Sequence, residues 1–279
     1  MTSVREKAAL VTLVRDGRRS PQACAEVLEQ AGSAVAALQH EQLFGPEAAD
    51  EIASWEAEGI RLVSLLDPDY PENLKAVHDR PPILFVAGEL RPEDARSVAV
   101  IGSRKASEDG IAAARAIAQQ LAERGFTVAS GLAAGIDTAA HLAVLDRGGR
   151  TIAVIGTGLR HVYPAENALL QRRIAGACAA VSQFWPDDPP TRRSFPIRNA
   201  VMSGITLATV IVEASHTSGT RVQARFALAQ GRPVFLRHTL LERDWARELA
   251  VRPGVHVFRD PEEVSATVER LTAADARVG

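Results

Sequence analysis

From Val98 onward, short apolar runs alternate with helical stretches, and that period confines the chain to one class of fold. Residues 98–101, 126–129, 151–155, 179–182, 209–212, 233–236 and 255–258 each read as a buried strand. Between them, residues 108–124 carry a helical pattern, as do Ile136, Ala140, Val144 and Leu145 and the stretch that runs to Gln230. Continuous apolar strands separated by helices predict a doubly wound, mainly parallel α/β sheet. Ligands in such sheets lie outside the carboxyl ends of the strands, and the glycine-bearing turns of this chain fall there.

The turn after residues 126–129 is the richest. Ser130, Gly131 and Gly135 lead into a helix carrying Asp137 and His141. Glycines there let the backbone approach a ligand closely, and a following helix directs unpaired N–H groups at an anion. Asp137 and His141 are four apart and share a helix face. They are the one pair resembling acid–base machinery, although a first-turn cap and a packed histidine are the plainer readings. Similar turns recur at Gly102-Ser103-Arg104 with Lys105, at Gly156-Thr-Gly158 and at Ser218-Gly219. Gly156-Thr-Gly158 starts like a dinucleotide fingerprint but lacks its third glycine and the spaced acid that should follow. No P-loop lysine, zinc spacing or serine elbow is present. The expectation is therefore no catalytic residues, no metal and no cofactor.

A chain of 279 residues, 46% hydrophobic, can bury one large core and a small second unit. A net charge of -2 carries no global sign of nucleic acid, so any such binding must come from a local patch. Cys24 and Cys178 lie far apart and suggest no disulfide framework. The N-terminus shows neither a signal peptide nor a membrane span, which makes the cytoplasm the expected compartment. Residues 1–58 look helical, with starts at Ser20-Pro21 and Gly45-Pro46. From Gly59 the texture changes to a strand at 60–66, a proline-rich turn and a strand at 83–86. The expected division is a helical domain over 1–58 and a Rossmann-like domain over 59–279.

Several motifs, in order, resemble the DNA-processing protein A (DprA, or Smf) family. They are Ile101-Gly-Ser-Arg104 with Ser107 and Gly110, then Ser130-Gly-Leu-Ala-Ala-Gly-Ile-Asp-Thr-Ala-Ala-His141. Gly149-Arg-Thr-Ile-Ala-Val-Ile-Gly-Thr-Gly158, Tyr163-Pro164, Phe195-Pro-Ile-Arg-Asn199 and Val212-Glu213 with Ser218-Gly219 continue the series, and Asp69-Tyr-Pro71 precedes it. The resemblance implies an extended Rossmann-like domain in a homodimeric protein that binds and protects single-stranded DNA and helps load the RecA recombinase in natural transformation. It implies no catalytic activity and no membrane. It makes the helical N-terminus comparable to a SAM or helix-hairpin-helix-like domain, in a member without the C-terminal winged helix that some relatives carry. The implied ligand positions are Gly102, Ser103, Arg104, Lys105, Ser107, Ser130, Gly131, Ala133, Gly135, Asp137, His141, Gly156, Gly158, Arg198, Asn199, Glu213, Ser218 and Gly219. The chain departs from the family pattern at Gln183, Ala200 and Gln223 and after Phe235.

Single-strand binding needs cations along a groove and flat side chains for stacking. Arg104, Lys105 and Arg198 are expected to share one sheet edge, widened by Arg172, Arg173, Arg192 and Arg193. Phe184, Trp185 and Phe195 fall in the loop region between them, with core packing the favoured role for Phe195. Glu213 either orients Arg198, meets a base edge or pairs structurally. The alternative is a sensor or hydrolase of a nucleotide-derived small molecule. Phosphoribohydrolases of the cytokinin-activating type share the superfamily, but Ser218-Gly219-Thr220 lacks their double glycine and glutamate.

Overall fold

The computed structural model describes residues 3–38, 46–215 and 219–275, so Gly45 and the expected ligand position Ser218 lie outside the described residues. The chain opens with helices α1 (Val4–Arg15), α2 (Pro21–Ala31), α3 (Ala34–Ala37) and α4 (Pro46–Ala57). Strand β1 (Ile60–Ser64), helix α5 (Glu72–Lys75) and strand β2 (Ile83–Gly88) follow. The alternating part then runs β3 (Ser97–Ile101), α6 (Glu108–Glu123), β4 (Thr127–Ser130), α7 (Ile136–Leu145), β5 (Thr151–Val154), α8 (Ala168–Ala177), β6 (Ala179–Ser182) and α9 (Ser194–Ile205). It ends with β7 (Ala208–Ile211), α10 (Thr220–Ala229), β8 (Val234–Arg237), α11 (Asp244–Ala250), β9 (Val255–Phe258) and α12 (Pro261–Asp275).

Local chemistry sets the helix starts. Ser20 accepts from the Ala23 N–H with Pro21 at the first turn of α2, and Ser107 accepts from Gly110 ahead of α6. The strands form one sheet in the order β1-β2-β6-β5-β4-β3-β7-β8-β9. Its β6-to-β9 part is parallel throughout, as the apolar runs predict, and β1 and β2 extend it antiparallel beyond β6.

Side chains alternate across the strands, which divides the core in two. Val98 and Val100 pack with Ile117 of α6, Ile136 of α7 and Val264 of α12 on one face. Ala99 and Ile101 face the other way, in a cluster with Met202 of α9 and Ala224 of α10. Helices α6 and α7 therefore lie opposite α9 and α10, and α8 packs beside α7, where Asn167 at its start donates to Thr138 Oγ1 at 2.8 Å. The chain reverses its direction of growth at β3, with β4 on one side and β7 on the other. That crevice is where a ligand site is expected in such a sheet.

The N-terminal helices share the second cluster with β1 and β2. Trp55 meets Phe85 edge to face at 5.2 Å, Trp185 packs on Phe85 at 5.4 Å, and the Arg15 guanidinium covers Trp185 at 4.4 Å. At the amino edge of the sheet, Arg150 holds Asp94 through Nε and Nη2, both at 2.6 Å, and Thr127 donates to the same carboxylate. Because Trp55 is the buried anchor of the helices on the sheet, Trp55→Ala is expected to lower stability by about 3–5 kcal/mol. Urea unfolding followed by fluorescence checks this.

Candidate nucleic-acid interface

Two buried charges meet at one glycine on the carboxyl edge of the sheet. The Gly131 N–H donates to Asp137 Oδ2 at 3.1 Å, and the Gly131 carbonyl accepts from Arg198 Nη1 at 2.6 Å. The same Nη1 donates to the Val154 carbonyl at 2.6 Å, and Arg198 Nε donates to Asn199 Oδ1 at 3.0 Å. A Cβ on Gly131 would overlap the guanidinium, so only glycine fits there. Burial, opposed by the Arg198 charge and by backbone N–H groups, pushes the Asp137 pKa up. Burial likewise lowers Arg198 to about 10, against the favourable pull of Asp137 and with help from Arg104. Arg198 remains a cation at neutral pH.

This core positions the neighbouring turns. Gly135 takes a φ of 79°, and the N–H of Ile136 donates to the Ser103 carbonyl at 3.2 Å, which locks the turn after β3 to the start of α7. The Glu213 carboxylate accepts from the Ser107 N–H at 3.1 Å and from its hydroxyl at 2.5 Å, which ties the loop after β7 to the start of α6.

Above these turns lies an open cavity of about 750 Å³, bordered by Gly102–Lys105 on one side and by Phe195, Arg198 and Asn199 on the other. Ala133, Asp137, Tyr163, Arg192, Gly219 and Gln223 also border it. The rings of Tyr163 and Phe195 stand 5.3 Å apart, and the exposed Arg104 guanidinium sits 5.2 Å from Phe195 and 5.9 Å from Tyr163. Arg104, Lys105 and Arg192 are exposed and have no carboxylate partner among the described residues. Asp137 and Glu213, by contrast, are held by the backbone and by Ser107. The cavity therefore presents cations around a pair of aromatic faces.

The structure brings most of the expected residues together and places others elsewhere. Gly102, Ser103, Arg104, Lys105, Ala133, Asp137, Arg198, Asn199 and Gly219 border the cavity, and Gly131 borders a smaller adjoining one. Gly135 and Ser107 act by fixing the turns. Ser130 and His141 are fully buried beneath the edge: Ser130 Oγ donates to the Val100 carbonyl, and His141 Nδ1 pairs with Thr151 Oγ1 at 2.7 Å. Gly156 and Gly158 are packing positions, where a Cβ would meet Phe195 and the backbone of Trp185 and Pro186 respectively. Arg198 is a buried tie between the ends of β4 and β5, not the exposed phosphate ligand that its charge suggests. Glu213 pairs with Ser107 and does not orient Arg198.

Of the accessory arginines, Arg192 borders the cavity, whereas Arg172, Arg173 and Arg193 do not. Phe195 lies in the first turn of α9, not in a loop, and faces the cavity half-buried. Trp185 belongs to the Trp55 cluster and Phe184 lies outside the lining. Tyr163, which sequence reasoning carried only as part of a motif, completes the aromatic pair. It pairs with Phe195, thirty-two positions on, a contact that no local pattern encodes.

Residues 61–265 match the family described as DNA recombination-mediator protein A. The chain is 41% identical over 172 residues to the DNA processing protein DprA of Streptococcus pneumoniae, covering 62% of this chain and 61% of that one. It is 39% identical over 213 residues to protein Smf of Escherichia coli, covering 76% of this chain and 57% of the relative. The matched segments thus span about three-fifths of these two relatives. The solved structure of the Streptococcus pneumoniae DNA processing protein A superposes with a TM-score of 0.78 at 31% identity, over 93% of this chain and 97% of that one. The DNA processing protein A of Helicobacter pylori, solved for its single-stranded DNA binding mode, shares the fold with a TM-score of 0.66 at 24% identity, over 76% of this chain and 96% of that one.

Two outcomes follow from the buried groups. Arg198→Met leaves the Gly131 and Val154 carbonyls without their donor and the buried Asp137 without its nearby cation, and is expected to cost about 3–5 kcal/mol in denaturant unfolding. Burial, the main cause, lowers His141 from 6.5 to about 3. The unfolded chain therefore takes up that proton near 6.5 while the folded one does not. The stability from this group is complete above 6.5 and is lost as pH falls towards 3, at about 1.4 kcal/mol per pH unit. A His141→Gln variant is expected to lack this part of the slope.

Proposed function

The chain belongs to the DNA recombination-mediator protein A family, and on that premise we propose that it binds single-stranded DNA across the carboxyl edge of its sheet. Phosphates lie on Arg104, Lys105 and Arg192, above the buried Arg198, and bases stack on Tyr163 and Phe195. The observation that carries this reading is the placement of exposed Arg104, without a carboxylate partner among the described residues, directly against two aromatic rings at the mouth of the cavity. Cations and π-faces side by side suit a flexible strand whose bases are unpaired, because every base offers a face and every linkage a charge. A net charge of -2 does not oppose this, since Asp137 and Glu213 at the edge are held by backbone N–H groups and by Ser107.

The protein acts in this reading as a binder in DNA processing, without turnover. Asp137 and His141, the pair that resembles acid–base machinery, are both committed below the surface, Asp137 to backbone N–H groups and His141 to Thr151. Protection of the strand, delivery to the RecA recombinase and action as a cytoplasmic homodimer belong to the same proposal, on the strength of the family resemblance. Among the described residues no helix is long and apolar enough to cross a membrane.

Titration of a labelled oligo-dT across a salt series tests the reading. Affinity is expected to fall steeply with salt, and Arg104→Ala to weaken binding and flatten the logarithmic slope by ~0.7, the share of one phosphate contact on a single strand. Salt-independent binding, or an Arg104→Ala protein that binds like the parent, contradicts it. Tight binding of a mononucleotide in place of the strand would assign the cavity to a small ligand instead.

A further inference from the structure

We propose that Asn167 is a positioning residue for strand binding: it fixes the stacking ring of Tyr163 relative to the turn on which Arg104 rests, so that one nucleotide meets ring and cation together. The proposal rests on the single-strand reading above and goes beyond it. Asn167 borders neither of the two adjoining cavities and acts through the residues it holds.

The turn between β4 and α7 is held from both sides. Its N–H groups go to Asp137, which accepts from Gly131 at 3.1 Å and from Ala133 at 3.4 Å. Its carbonyls go to Asn167. The Nδ2 of Asn167 donates to the Leu132 carbonyl at 2.9 Å and to Thr138 Oγ1 at 2.8 Å. The Thr138 hydroxyl donates on to the Ala133 carbonyl at 2.7 Å. Such a hold is needed, because among the described residues Leu132 is the one non-glycine with a positive φ, 57°. A side chain in that left-handed region is strained, and the conformation persists only where its surroundings over-determine it. Asn167 is buried at the start of α8, so its bonds are shielded from competing water.

Both ends of this hold reach the binding site. At one end, Gly135 of the turn lies so close to the Ser103 and Arg104 carbonyls that a Cβ there would overlap them, and the next N–H, of Ile136, donates to Ser103. At the other end, Asn167 closes the 3-10 turn Ala165–Asn167, where its N–H donates to the Pro164 carbonyl at 3.1 Å. Tyr163 is the residue just before that proline. Asn167 thus bridges the segment of Tyr163 and the turn under Arg104, whose guanidinium stands 5.9 Å from the Tyr163 ring. Ala133 and Ala134 of the turn and Tyr163 and Pro164 of the segment together border the smaller cavity, of about 190 Å³. Without the bridge the turn is free to leave its strained form, and the spacing of ring and cation is no longer set before a strand arrives. Preorganisation of that kind spares the cost of ordering the site on binding.

Labelled oligo-dT titrated across a salt series tests this on the full chain as the parent, Asn167→Ala, Tyr163→Ala and the double variant. Asn167→Ala is expected to bind about tenfold more weakly, the scale of one lost stack. Its salt slope is expected to match the parent's, because no ion contact is removed, whereas Arg104→Ala flattens the slope. In the Tyr163→Ala background the same substitution is expected to cost less than about threefold, since the ring it places is gone. Hydrogen exchange of the free Asn167→Ala protein is expected to quicken at residues 132–135. Thr138→Val, which keeps the bond to Leu132 and removes the relay to Ala133, is the second variant should Asn167→Ala fail to fold. It is expected to weaken binding in the same direction, with the same non-additivity. Parent-like affinity, unchanged exchange at 132–135, or a loss that persists in full without the Tyr163 ring overturns the inference and leaves the single-strand reading standing. Absence of single-strand binding by the parent protein overturns both.

Discussion

The Gly131 residue hands its N–H to Asp137 and its carbonyl to Arg198, and the carboxyl edge of the sheet is built around that exchange. Asp137 comes from α7 and Arg198 from α9, helices on opposite faces of the sheet. Each charge alone would be costly to bury, and each is retained because the other and the backbone compensate it. Arg198 also clamps Val154, so the ends of β4 and β5 are fixed to one side chain. The tie demands glycine at 131 and an arginine whose planar fork reaches two carbonyls at once.

With the floor fixed in this way, the rim separates cations by role. Arg198 and Arg150 are structural, the first beneath the carboxyl edge and the second holding Asp94 at the amino edge. Arg160 and Arg237 are engaged by Glu58, Asp187 and Asp109. Arg104, Lys105 and Arg192 are exposed at the cavity. A chain with a net charge of -2 thus offers a cationic cluster through placement, with three exposed cations gathered at one cavity. The Tyr163–Phe195 pair beside Arg104 turns that edge from a plain anion site into one that suits bases and phosphates together.

The fold was legible because strands buried on both faces read as continuous apolar runs, and helices between them repeat at their own period. Residues such as Val98–Val100 and Ala99–Ile101 belong to opposite faces by simple alternation. The glycine turns were legible for a similar reason, since Gly102, Gly131 and Gly135 mark close backbone approaches that other residues cannot make. Depth was not legible. Arg198, His141 and Ser130 sit on motif positions that look like ligands, yet each is buried by helices far away in sequence. Trp185 likewise reads as a stacking residue until Trp55 and Phe85 close over it. The cavity's Tyr163 emerges only once α9 is seated, because its importance lies in the ring it meets, Phe195.

Hydrogen exchange of the backbone amides, with and without a short single-stranded oligonucleotide, tests most directly whether this edge is where the protein works. The account predicts added protection in the turns at 102–105 and 131–137 and in the first turns of α9 and α10, with α1 to α4 and the exposed face of α8 unaffected. Protection confined to the N-terminal helices or to α8, with the turns around Gly131 unchanged, would contradict it.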